Sequence, residues 1–197
     1  MNNLFQAIER RDADAVQALI SSGVDINTTD SRGRTPLLAA VHTNNPAIAK
    51  LLIDAGADIH KQDHILDNPF LYAGAEGYLE LVKLLLAAGA NTRMTNRYGG
   101  VAIIPASEHG YVDVVRELLI NSDINVNHVN NLGWTALMEV IVLGNNSPNH
   151  IEAAKLLISH GADVNIPDKE GVTPLRHAKR RQFHEIAALL EEAGAHL

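Results

Sequence analysis

Apolar residues along this chain fall in short clusters that return at a fixed interval. In "PAIAKLLIDA", residues 46–55, Ile48, Leu51 and Leu52 recur at three- and one-residue steps, a pattern that gathers side chains on one face of a helix. Upstream, "PLLAAVHT" is a shorter apolar run rich in small residues, and "NNP" separates the two. Proline biases the residue before it away from the helical region, so the first helix should stop there. Thr35 stands where a helix N-cap is expected, and Pro36 at the first helical position, where its missing N–H costs nothing. Gly56 should end the second helix as a C-cap. Asp30 and Gly33 mark a turn ahead of both. The predicted unit is turn, helix, turn, helix, loop.

That unit repeats. Gly23, Gly56 and Gly89 are 33 residues apart, and Gly161 and Gly194 are again 33 apart. A further copy, "LINSDINVN" (119–127), has Ser122 in the glycine place and one extra residue after it. A second anchor, Gly-x-Thr-x-Leu, appears in "GRTPLLAA" (33–40), "GWTALMEV" (133–140) and "GVTPLRHA" (171–178), with "DNPFLYAG" (67–74) and "GGVAIIPA" (99–106) as degraded versions. Six units result, spanning about 1–30, 31–63, 64–96, 97–130, 131–168 and 169–197, in a single domain. One such unit cannot bury its own apolar face, whereas a stack of them makes a continuous core. The equivalent positions Ile20, Ile53, Leu86, Leu119 and Ile158 give way to Glu191 in the last unit, and the first unit is polar at Gln6, Arg10 and Arg11. The two end units are therefore expected to act as caps.

Gly-x-Thr-Pro-Leu followed by Leu-Leu-x-x-Gly-Ala-Asp at constant phase resembles the ankyrin-repeat family, in the manner of a bacterial stand-alone array, over nearly the whole chain. The resemblance implies an all-α solenoid: six stacked antiparallel helix pairs, two of them caps, with projecting hairpin loops. It also implies a non-enzymatic module that binds another protein through its hairpin tips and the first helices of a concave face. An alternative within the same resemblance is a secreted effector acting on a host protein. One departure stands out. The family motif usually continues Thr-Pro-Leu-His, and here that histidine is replaced by Leu38, Leu71, Ile104, Met138 and Arg176. Apolar packing is expected to take over from the family's threonine–histidine hydrogen bonding.

Composition narrows the function further. The 197 residues include no cysteine, which excludes a disulfide framework, thiol catalysis and cysteine-ligated zinc. The formal net charge is −7, against the basic excess expected of a nucleic-acid binder. The amino terminus lacks the basic-then-apolar pattern of a signal peptide, and no apolar run approaches bilayer length. A cytoplasmic monomer without nucleic acid, membrane, metal or cofactor is expected.

Three groups of residues invite a chemical reading. His60 and His64 are four apart, a metal-ligand spacing on a helix, but they straddle a predicted loop and turn and lack a third ligand. Glu139 and His177 hold the same position in adjacent units, so stacking should bring a carboxylate near an imidazole. No nucleophile elbow or phosphate loop accompanies them, and a polar contact on the groove wall is expected instead. The run "RHAKRR" (176–181) is basic within an acidic whole and reads as the solvated face of a cap.

The resemblance places the variable positions at the hairpin tips and on the first helices. There, repeats three to five carry Ile65, Tyr72, Arg97, Tyr98, Leu132, Trp134, Glu139 and Leu143, while the flanking repeats offer mainly charge. Binding energy concentrates in Trp, Tyr and Arg inside a polar rim, so these eight are the expected partner contacts. Between Gly144 and His150, Asn145 to Asn149 have no counterpart in repeat two and are expected to enlarge the turn between the helices of repeat five.

Overall fold

The computed structural model describes residues 3–197. Among them it contains twelve helices and no strand. The helices run in pairs: α1 (Asn3–Glu9) with α2 (Ala13–Ser21), α3 (Pro36–His42) with α4 (Pro46–Asp54), α5 (Pro69–Ala75) with α6 (Leu79–Ala87), α7 (Ile103–Glu108) with α8 (Val112–Asn121), α9 (Ala136–Val142) with α10 (Pro148–Ser159), and α11 (Pro174–Arg180) with α12 (His184–Glu192). Two compact units result, one ending at Asn91 and one spanning Thr92–Leu197.

In the first unit α1, α3 and α5 pack side by side, and α2, α4 and α6 do the same behind them. In the second unit α7, α9 and α11 form one row, and α8, α10 and α12 the other. The first helices α3 and α9 have neighbours on most sides. In α3 every residue from Pro36 to Val41 is buried, and in α9 every residue from Ala136 to Ile141. The second helices bury one stripe only, such as Leu81, Val82 and Leu85 of α6, as expected for amphipathic helices with one face in solvent.

Local chemistry sets the helix ends. Thr35, Thr135 and Thr173 each cap a first helix by accepting the N–H three residues on. Asn68 does the same in repeat three, with Pro69 behind it. The second helices end where Gly23, Gly56, Gly89, Gly161 and Gly194 take positive φ. At Gly56 the N–H bonds to Ile53 O, and that of Ala57 reaches back to Leu52 O, the Schellman arrangement. Repeat four departs from it. Ser122 is extended, and its hydroxyl donates to Leu118 O and accepts from the N–H of Ile124.

Where the family histidine is missing, Leu38, Leu71, Ile104 and Met138 are all buried, while Arg176 is exposed. A second set of bonds ties neighbouring repeats together. Asn27 accepts the N–H of Asp58, Asn127 that of Asp163, and Asn165 that of His196.

The residues inserted in repeat five divide between the expected enlarged turn and a longer second helix. Pro148 and Asn149 enter α10, which is 12 residues long against 9 in α4, and the connection runs over 143–147, five residues where repeat two has three at 43–45. His150 anchors this start. It is buried, with Nδ1 2.8 Å from Ser147 Oγ and Nε2 2.8 Å from Glu108 O. Proline favours the first turn of a helix, so an inserted Ser-Pro lengthens the helix as well as the turn before it.

Candidate partner-binding surface

The hairpins share one construction. An Asp or Asn begins each, and its side-chain oxygen accepts two backbone N–H groups, two and four residues on. This Asx turn fixes the loop and leaves its two central residues projecting. The residue two after each Asx is Arg32, Ile65, Tyr98, Leu132 and Glu170 in turn. It is apolar in the three middle hairpins and charged in the other two.

In the first unit, Asp63 organises the third hairpin by accepting from Ile65 and Asp67. Ile65 and Leu66 are 50% and 47% exposed. Leu66 has φ +62°, where Gly33 has +80° at the matching place. The hairpin docks on its neighbour through His64, whose N–H bonds to Arg32 O and whose ring covers Gly33. Tyr72 is half-buried. Its ring centroid lies 3.7 Å from that of His42 and 6.4 Å from that of Tyr78. Burial pushes the Tyr72 phenol above its ordinary pKa and pulls the His42 imidazole below its own.

In the second unit, Asn96 holds the fourth hairpin and Asn130 the fifth. Tyr98 is 53% exposed, with the Arg97 guanidinium 4.6 Å above its ring, a cation–π contact. The N–H of Asn131 bonds to Tyr98 O at 2.9 Å, so the tips carrying Tyr98 and Leu132 are neighbours. Leu132 is 47% exposed and Leu143, at the end of α9, 46%. Trp134 is half-buried, and its N–H donates to Asn130 Oδ1. Glu139 is buried and accepts from Asn130 Nδ2 at 2.7 Å. Burial pushes its pKa up to about 7; the Glu108 charge adds to the rise and the Asn130 hydrogen bond opposes it.

Two expectations change. Glu139 offers little surface to a partner, since its side chain is turned into the protein. It also does not pair with His177. His177 Nε2 lies 2.7 Å from Asp168 Oδ2, and Glu139 bonds to Asn130. Each residue reaches the Asx of its own hairpin, nine positions earlier, and that fixed spacing was the sequence signal for both bonds. The pairing with His177 shows in Asp168 as well. Burial alone would raise its pKa, but hydrogen bonds from His177 and from the N–H groups of Val172 and Glu170 leave it below the ordinary value.

The other candidates have structural employment. His60 Nε2 accepts the N–H of Asn91, and the His64 ring rests on Gly33. In the basic run, Lys179 pairs with Glu191, and Arg181 donates to the carbonyls of Ile141 and Val142 while its guanidinium covers Phe183. Among the described residues no group of three or more metal-ligating side chains gathers, and no helix is long and apolar enough to cross a membrane.

Comparison with known proteins agrees with the architecture. The family model described as ankyrin repeats matches in three copies, over residues 1–63, 70–168 and 103–197. An ankyrin repeat domain from Acinetobacter baumannii AYE is 47% identical and covers 98% of both chains, with a TM-score of 0.95. The ankyrin repeat protein YahD of Escherichia coli (strain K12) is 48% identical over 79 residues, which span 40% of this chain and 39% of that protein. A chain in the complex of the Bdellovibrio bacteriovorus predatory endopeptidase Bd0816 with immunity protein Bd3460 is 25% identical, covering 98% of both chains at a TM-score of 0.77. These repeats are typical of non-enzymatic proteins, and their fold is a general module for protein–protein interaction. With the family's repeats matched across almost its whole length, this chain belongs to the ankyrin-repeat family.

Proposed function

We propose that this chain binds a partner protein through the tips of its fourth and fifth hairpins. Tyr98 and Leu132 are the central contacts, with Arg97, Trp134 and Leu143 around them. The observation that carries the reading is the tip position itself. Tyr98 and Leu132 stand about half exposed on adjoining Asx turns that hold them rigidly, where the sixth hairpin carries Glu170. An apolar side chain held in solvent by a rigid turn loses little entropy on binding, and tyrosine is favoured at interface centres. Ile65 fills the same position in the first unit and is a further candidate contact there. Tyr72 is half-buried, with His42 against its ring and Tyr78 edge-on to it, and is a lesser candidate contact.

For the partner class, one relative supports an enzyme. The relative in the Bdellovibrio complex is solved in an assembly of an endopeptidase with an immunity protein, and a peptidase partner is the corresponding reading here. The experiment is affinity capture from the native cell extract with the intact chain and with Tyr98→Ala/Leu132→Ala, both shown to be folded by circular dichroism. Loss of the captured protein in the double variant supports the surface, and undiminished capture overturns it. Assay of the captured protein for peptidase activity, with and without added module, tests the partner class separately.

A further inference from the structure

We propose that Glu139 and Asn130 form a pH-responsive latch on the fifth hairpin, so that ionisation of Glu139 makes the loop carrying Leu132 and Trp134 open more often. The geometry passes through one residue. Asn130 Oδ1 accepts from Leu132 at 2.9 Å and from Trp134 at 3.0 Å, its N–H donates to Trp134 O, and its carbonyl accepts from Gly133. Its remaining side-chain group, Nδ2, is held by Glu139 Oε1 at 2.7 Å. Both side chains are buried. A buried carboxylate thus props the residue that ties the loop together.

The surroundings do not stabilise a charge on it. From α7, Glu108 faces Glu139 as a like charge. On α11, His177 is bonded to Asp168, and Arg181 to the carbonyls of Ile141 and Val142. At the start of α10, His150 is bonded to Ser147 and to Glu108 O; further along, Glu152 pairs with Arg116 and Lys155 with Glu185. Lys169 of the next hairpin donates to Asn131 O. Among the described residues Glu139 has no cationic partner, and its ionised form is held in a dry place by a single hydrogen bond. Opening the loop lets water reach the carboxylate, so ionisation and opening favour each other. Burial brings the transition to about 7, within the range cells visit. The fourth hairpin lacks the device, since Pro105 occupies the place of Glu139 behind Asn96.

Amide hydrogen exchange, corrected for intrinsic rates, tests the latch on the intact chain between pH 5.5 and pH 8.5. Protection of the Leu132 and Trp134 amides should fall by roughly tenfold as pH rises, while that of Tyr98 and Gly100, held by Asn96, stays level. Glu139→Gln should flatten the response at Leu132 and Trp134. Glu108→Gln, which leaves the latch in place, should move the transition to lower pH. Equal pH responses in the two hairpins, or a response that persists in Glu139→Gln, would overturn the proposal.

Discussion

His60 accepts the backbone N–H of Asn91 through its Nε2, at 3.0 Å, and so does in repeat two what Asn27, Asn127 and Asn165 do elsewhere. An imidazole and a carboxamide are interchangeable here because only an acceptor of the right reach is required. His60→Asn should keep the bond, while His60→Ala should lose about 0.5–1 kcal/mol. Urea unfolding of the three proteins checks the order, and equal losses in both variants would show that the bond contributes nothing.

Leu66 and Gly99 hold the same hairpin position with opposite chemistry. Leu66, at φ +62°, sits where a side chain clashes with its own carbonyl, a strain of about 1–2 kcal/mol. Leu66→Gly should therefore raise stability by roughly 0.5–1 kcal/mol, after the added freedom of the unfolded glycine is set against the relief. Gly99→Ala should do the reverse and cost more than about 1 kcal/mol, because its new methyl would also strike the Asn131 side chain. Thermal melts of both variants read the two signs directly.

Glu139 gives stability a pH dependence of defined sign. Its folded pKa, about 7, lies above the ordinary 4.5, so the folded state holds the proton more tightly than the unfolded one. Stability from this group is complete below about 4.5 and declines as pH rises towards 7. Glu139→Gln keeps an acceptor for Asn130 and removes the decline. The variant should gain on the order of 2 kcal/mol over the parent at pH 8, with little difference at pH 4.5. A constant difference across that range would contradict the assignment.

Asp168 supplies the opposite slope. Its lowered folded pKa means that its contribution is present above the ordinary carboxylate range and is lost as pH falls through the folded value. His177→Ala should weaken the sixth hairpin at neutral pH and make the remaining stability less sensitive to acid. Denaturant midpoints at pH 3 and pH 7 measure both effects.

His150 carries the joint between repeats four and five. Replacing it with alanine leaves Glu108 O and Ser147 Oγ without their partner and empties a buried site. The expected loss is about 1–3 kcal/mol. His150→Gln, which can still reach one of the two groups, should recover part of it.

The repeat phase, the Thr35 and Pro36 helix start and the glycine helix ends were legible because each rests on neighbours in sequence. So was the burial of Leu38, Leu71, Ile104 and Met138, which follows from the phase alone. The Glu139–His177 pairing failed because equal register across repeats says nothing about which polar group lies closer. Each side chain had a partner within its own hairpin. The enlarged turn at Asn145–Asn149 was legible only in part: the connection is longer, but Pro148 and Asn149 also read as a helix start and joined α10. Nothing in the order of residues shows that Tyr72 stacks on His42, because that contact depends on the rotamers of two side chains in different repeats.

The lengthened α10 has a consequence for how such arrays change over time. Gly133 and Gly171 are 38 residues apart instead of 33, yet Lys169 still lies over Gly133 and reaches Asn131. The extra chain was absorbed at the end of the helix pair remote from the hairpins, and the joint between hairpins was left as it was. Spacing along the chain is therefore not what keeps these two repeats in step.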